Sequence, residues 1–335
     1  MKRPVTLFTG QWADLDLDTV AGYAAEWGYD GLEIACSGEH LDVWRASEDD
    51  KYLQERLQIL DRHGLKLYAI SNHLAGQAVC DDPIDFRHKD IVRPEVWGDG
   101  IPEGVRERAA QELLLTGVVA RKLGVDTVVG FTGSSIWQYV AMFPPVSQEV
   151  IERGYDDFAR RFNPIMDVFA AEGVRFALEV HPSEIAYDYH TTRRTLDAIG
   201  NRPEFGLNWD PSHMLWQDID PAGFILDFAD RIYHVDCKDT SIYPRDGRRG
   251  RLGSHLPWTD LNRGWSFVST GRGDVQWEAC FRALDSIGYQ GPISIEWEDA
   301  GMDRLHGAKE AVNLVRGFLW DLPEQSFDAA FKQGG

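Results

Sequence analysis

The sequence has little of what would tie it to an oxidising compartment, a polyanion or a membrane. Its four cysteines, Cys36, Cys80, Cys237 and Cys280, are widely separated and form no C-x-x-C pair. Isolated free thiols in a reducing compartment are the expectation. Lys and Arg number 34 against 54 Asp and Glu, a formal net charge of -20. Such a surface repels nucleic acid and anionic membranes, so neither is expected as a partner. No apolar run is long enough to span a bilayer, and the opening MKRPVTLFTG enters a strand without a signal-type apolar stretch. A cytoplasmic protein is expected. No G-x-G-x-x-G follows the first strand, which would have favoured a doubly wound nucleotide-binding sheet. No low-complexity linker divides the 335 residues.

What the chain does have is core-forming material, 43% hydrophobic residues with twelve tryptophans, and one recurring phrase. A helix, then a glycine or similar breaker, then a short apolar strand appears in AAEWGYDGLEIAC, DRHGLKLYAIS, ARKLGVDTVVGF, FAAEGVRFALEV and LDSIGYQGPISIEW. Shorter versions are AIGNRPEFGLNWD and FADRIYHVDCK. The glycines suit the left-handed position that closes a helix. Val20, Ala24 and Trp27 share one helical face, with Asp18 as its predicted N-cap. Adding VTLFTG gives eight strands, starting near residues 5, 31, 65, 125, 174, 205, 231 and 292. Strands alternating with helices imply parallel pairing, and eight units at this length predict a single (β/α)8 TIM barrel over residues 1–335. Three long connections follow strands, at 73–102, 132–147 and 239–273. In a barrel they rise from the C-terminal face, where lids and binding loops sit.

Parity along each strand separates barrel-facing from helix-facing residues. In VRFALEV it turns Arg175, Ala177 and Glu179 inward; in FGLNWD, Gly206, Asn208 and Asp210; in IYHVD, Ile232, His234 and Asp236, with Tyr233 outward; in PISIEWE, Ser294, Glu296 and Glu298. The last four strands therefore each offer a polar residue near the C-terminal end: Glu179, Asp210, His234 and Glu296. Any one of them alone reads equally well as a capped turn. Four in phase on successive strands favour a shared ligand. Three unpaired carboxylates in one mouth need a countercharge, which a divalent cation supplies. One imidazole with three carboxylates suits Mn foremost, with Co, Fe, Zn and Mg as alternatives. In GLNWDPSHM, Asp210 is then a ligand and His213 its neighbour facing substrate.

The motifs ALEVHP, NWDPSHM, YHVDCKD and SIEWED, with GRGDVQWEACFRALDSIGYQGPISIEWED near the end, resemble the sugar phosphate isomerase/epimerase family of xylose-isomerase-like TIM barrels. The resemblance covers nearly the whole chain. It implies that Glu179, Asp210, His234 and Glu296 bind the metal, and that the two glutamates exchange protons on either side of a substrate carbon. Ketose 3-epimerases of this superfamily follow the ligand His with Gly-Glu and an Arg that holds a substrate oxygen. Here the run is His234-Val235-Asp236-Cys237-Lys238-Asp239-Thr240, with Thr240 at the Arg position. The extended loop after strand 7 is also similar to the large metal-binding subunit of bacterial C-glycoside deglycosidases, which cleave 3-oxo-glycosides with a small partner subunit.

The expected activity is a metal-dependent isomerase or epimerase acting on a sugar or keto-sugar through a metal-stabilised enediolate. The alternative is a lyase cleaving 3-oxo-glycosides by β-elimination. Glu179, Glu296 and His213 are the candidate bases. Lys238, paired at rest with Asp236, is a candidate for neutralising an oxyanion or for orienting the ligands. His181, His73, Glu33 and Trp137 are candidate substrate contacts; each reads equally well or better as structural. Trp216, Trp258 and Trp265 offer further aromatic faces in loops. The basic run Arg245, Arg248, Arg249 and Arg251 stands against an acidic chain. It could bind a phosphate, pair with an acidic partner subunit or, as is commonest, simply be solvated. Its loop, rich in aromatic residues, is expected to lid the pocket and contact another chain, as a homo-oligomer or a complex with a small subunit.

Overall fold

The computed structural model describes residues 3–140, 143–243 and 247–320. Eight parallel strands form one sheet in the order β10-β1-β2-β3-β4-β5-β6-β7. They are β1 (Val5–Phe8), β2 (Gly31–Ala35), β3 (Lys66–Ser71), β4 (Thr127–Gly130), β5 (Arg175–Glu179), β6 (Phe205–Trp209), β7 (Ile232–Val235) and β10 (Ile293–Ile295). The last and first edges meet where Asp236 bridges Ser294, and the Cys237 N–H donates to the Ser294 carbonyl at 2.6 Å. The sheet is thereby drawn into the expected (β/α)8 barrel, with strands starting at or just after the positions read from the sequence.

The local signals explain most of this. Gly28 and Gly173, which close helices Leu17–Trp27 and Gln148–Glu172, take φ of 88° and 67°, a region costly for any residue with a Cβ. The cap of the first helix is Asp16, whose side chain accepts from the Thr19 N–H, rather than Asp18; Asp18 lies within the first turn. Helix Gln148–Glu172 turns Phe158, Phe162 and Phe169 onto the outward-facing Phe176 and Phe205, all five fully buried. That aromatic block fixes β5 and β6, whose C-terminal ends carry Glu179 and Asp210.

Two long connections carry more structure than their sequences signalled. Residues 73–102 contain helices His73–Cys80, Phe86–Lys89 and Pro94–Trp97. Two of them have four residues, too short to display a 3.6 period. Residues 239–273 fold back as an antiparallel hairpin of β8 (Asp239–Tyr243) and β9 (Gly264–Val268). Of the basic run in this hairpin, Arg245 lies outside the described residues, while Arg249 donates to Asn262 at 3.0 Å and Arg251 to the Trp216 carbonyl at 3.0 Å.

Parity fails at one strand for a visible reason. The β6–β7 register slips between Leu207 and Asn208, leaving Tyr233 as an extra residue. Such a bulge re-aims a side chain, and Tyr233 packs on Ala69, Val129 and Ala177 at the barrel floor, not outward. Gly206 makes the space, since a Cβ there would fall on the Tyr233 ring, with the Arg231 carbonyl 2.7 Å away. Gly206→Val should therefore cost about 1–3 kcal/mol through overpacking, measured by urea unfolding. An unchanged midpoint would mean that the tyrosine is free to move aside.

Candidate active site

At the C-terminal mouth a pocket of about 440 Å³ opens, lined among others by Gln11, His73, Phe131, Glu179, His181, His213, Lys238, Trp258, Phe267, Glu296 and Glu298. β5 ends on Glu179, and Glu296 follows β10 directly. Asp210 caps the short helix Pro211–Leu215, its Oδ1 accepting from the Ser212 N–H at 2.8 Å. Its other oxygen, Oδ2, is turned to the centre, 3.1 Å from Lys238 Nζ and 3.2 Å from His213 Nε2. The residue is thus both a cap and a member of the cluster.

Lys238 sits in the middle of the carboxylates. Its ammonium donates to Glu296 Oε2 at 2.7 Å and stands 3.7 Å from Glu179 Oε1. The expected resting pair with Asp236 is not formed among these contacts; the lysine is two residues further along and reaches past Asp236 to the level of Asp210. Burial opposes its charge, but Asp210, Glu296, Glu298 and Glu179 outweigh burial and hold the ammonium well above the ordinary lysine range.

The carboxylates respond in different directions. Burial alone would raise Glu179, yet Lys238, His213 and His73 hold it well below the usual range. Glu296 is pushed well above it by burial and by Glu179, Glu298 and Asp210, against the pull of Lys238. Burial carries Asp210 up to about 7 despite the nearby ammonium. His181 is lowered to about 4, and His213 well below its ordinary value, both chiefly by burial, so both imidazoles are neutral. Their rings touch edge to face at 4.0 Å, and His73 Nε2 stands 3.0 Å from Glu179 Oε2.

Other expected contacts lie elsewhere. Glu33 does not line the pocket. It is fully buried beneath it, receiving hydrogen bonds from Ser71 and Ser294, the latter at 2.5 Å. His234 is with it, Nε2 being 3.2 Å from Glu33 Oε2 and Nδ1 bonded to Asn208 Oδ1 at 2.9 Å. Trp137 packs edge-on against Tyr187 and lines two neighbouring hollows, of about 290 and 480 Å³, instead of the central pocket. Trp216 stacks on Trp265 at 4.8 Å. Sequence reasoning overlooked Gln11, whose amide donates to Glu296 at 3.1 Å and to Glu298 at 2.6 Å. Nothing in TLFTGQW marks that role. Phe267, on the pocket side of the hairpin, was equally hidden.

Buried oxygens left without donors test whether this donor set fits a cation. Glu179 Oε1, Asp210 Oδ2 and Asp236 Oδ1 are buried and carry no hydrogen bond, and neither do the Nε2 atoms of His73, His213 and His234. Glu179, Asp236 and Glu296 each bring a carboxylate oxygen within 4.8 Å of the others. Four carboxyl groups with one ammonium among them relieve their repulsion only by taking up protons or a further cation. The residues fit a divalent cation.

The family described as a xylose isomerase-like TIM barrel matches residues 21–318. The uncharacterised protein YfiH of Bacillus subtilis (strain 168) is 27% identical over 318 residues, 92% of this chain and 96% of that one. Among solved structures, the apo form of 3-keto-D-glucoside 4-epimerase, YcjR, from E. coli superposes with a TM-score of 0.66 at 15% identity, covering 94% of this chain and all of the other (100%). The IolI protein, solved with a bound zinc atom, superposes at 0.61 with 18% identity over 95% and 96% of the two chains. At such identities the likeness to these two structures is one of fold. No helix among the described residues is long and apolar enough to cross a membrane.

Proposed function

This chain belongs to the xylose isomerase-like TIM barrel family, and on that premise we propose that it is a divalent-metal-dependent isomerase or epimerase of a sugar or keto-sugar. The observation that carries the reading is the pair Glu179 and Glu296. They reach one pocket from two different strands, with carboxylate oxygens within 4.8 Å of each other and opposite electrostatic settings. Glu179, Asp210 and Glu296, with one ligand from β7, would hold the ion, Mn being the first choice. When bound, it supplies a Lewis acid that polarises a carbonyl and acidifies the adjacent C–H.

The chain's own residues divide the remaining work. One glutamate takes the proton from the carbon beside the carbonyl and the other returns one. Return to the opposite face of that carbon gives epimerisation; return to the neighbouring carbon gives isomerisation. His213 Nε2, 3.2 Å from Glu179 Oε1, and His73 Nε2, 3.0 Å from its Oε2, orient that carboxylate. Gln11 holds Glu296 from the other side. Lys238 is placed to meet negative charge developing on a substrate oxygen. Phe131, Trp258 and Phe267 give the pocket an apolar wall that excludes water.

That wall also favours a second reading, β-elimination from a 3-oxo aryl glycoside, in which the aromatic side chains receive the aglycone and a small subunit joins the hairpin at β8 and β9. Incubating Mn-loaded protein in deuterated water with free ketoses and with 3-oxo aryl glycosides separates the two. Deuterium incorporation without release of the aryl group supports the isomerase or epimerase, and stoichiometric release supports the lyase. Absence of both would refute proton abstraction at this site for these substrates.

A further inference from the structure

We propose that β7 contributes Asp236, not His234, to the divalent-cation centre, alongside Glu179, Asp210 and Glu296. The inference rests on the reading above that this pocket takes a divalent cation. β7 turns both side chains inward, so alternation alone cannot choose between them. Their partners can. His234 pairs with Asn208, which pairs with Glu179. Its Nδ1 is bonded to Asn208 Oδ1 at 2.9 Å, and its Nε2 stands 3.2 Å from Glu33 Oε2 without a hydrogen bond. Asp236 lies one inward position higher, level with the closing bridge to Ser294 and two residues below Lys238.

Proximity separates the two. The carboxylate of Asp236 gathers with those of Glu179 and Glu296, whereas the His234 imidazole gathers with Glu33 and Asp236. Asp236 is 1% exposed, and its Oδ1, 3.6 Å from His234 Nδ1, has no hydrogen-bond donor; His234 Nε2 is unpartnered too, so it is the gathering with Glu179 and Glu296 that favours Asp236. Its Oδ2 is held by the Asn208 amide at 2.5 Å. One amide therefore serves both layers. The Asn208 carbonyl accepts from His234 Nδ1, while its NH2 fixes Asp236 Oδ2 and leaves Oδ1 without a donor. An outer partner that orients a carboxylate in this way is a common companion of a metal ligand. His234 in turn becomes the residue that orients Asn208. Exchanging an imidazole for a carboxylate also shifts the set toward oxygen, which suits Mn and Mg better than Zn.

The decisive experiment needs no variant. Wild-type crystals soaked in Mn(II) and measured at the Mn absorption edge should show an anomalous peak within bonding range of an Asp236 oxygen, with His234 Nε2 outside it. Solution affinities give the second reading. Asp236→Asn should weaken Mn(II) binding by about 100-fold or more, and His234→Gln by about tenfold, the lower end of the effect of an outer partner. An anomalous peak bonded to His234, or a larger affinity loss in His234→Gln than in Asp236→Asn, overturns the assignment while leaving the metal reading intact. Wild-type protein that binds no Mn(II) overturns both.

Discussion

Glu296→Gln and Glu179→Gln are each expected to lose turnover by about 10²–10⁴-fold, the range typical of removing a positioned acid or base. The substitution keeps volume and one carbonyl-type acceptor but removes the proton-accepting oxygen. Both side chains are nearly fully buried, and each has a fixed neighbour. Glu296 is gripped by Lys238 and Gln11, and Glu179 lies against His213 and His73. The loss should therefore be chemical, not a relaxation of the pocket. Two measurements divide the possible causes. Metal content by elemental analysis shows whether a variant has lost a ligand, and exchange of the substrate C–H with deuterated water shows which half of the reaction survives. A variant that retains exchange but not inversion has lost the group that returns the proton on the second face. If activity simply followed metal occupancy, the glutamates would be ligands only, and His213 would be the base.

Sequence carried the barrel well because its evidence is local. Each helix-closing glycine and the apolar strand after it are set by a few neighbouring residues, so the eight units could be read one at a time. The four polar strand ends were equally legible as inward-facing. Their heights were not. Strands in a barrel are tilted and staggered, so two inward residues on one strand, such as His234 and Asp236, stand at levels that only pairing with β6 and β10 reveals. The bulge at Tyr233 breaks the alternation without any mark in IYHVD. The same limit explains Glu33, correctly inward yet below the pocket, and Trp137, on a loop as expected but turned toward Tyr187. Lys238 was singled out as one half of a pair; its place among several carboxylates depends on contacts across three strands.

That place makes Lys238→Met the most informative change for stability. In a chelator, the variant should be less stable than wild type by about 3–5 kcal/mol, the usual cost of removing one partner from a buried ionic cluster. Lys238 is 3% exposed, and its ammonium is the cation shared by Asp210, Glu179 and Glu296. Met matches the length of the stem, so the change removes charge with little loss of packing. What remains is a set of buried carboxyl groups that can relieve their repulsion only by taking up protons or a different cation. Saturating Mn(II) should accordingly restore most of the lost stability, because a ligand that binds only the folded state stabilises it by mass action. Denaturant midpoints of wild type and variant, each in chelator and in Mn(II), give the four numbers required. A loss that is equal in both conditions would mean that the lysine stabilises the fold independently of the cation site. No loss in chelator would mean that the carboxyl groups are already neutral without it, and that the ammonium is not their countercharge. A deficit that appears in chelator and shrinks in Mn(II) identifies Lys238 as the cation that holds the empty cluster together until a divalent ion takes over the charge.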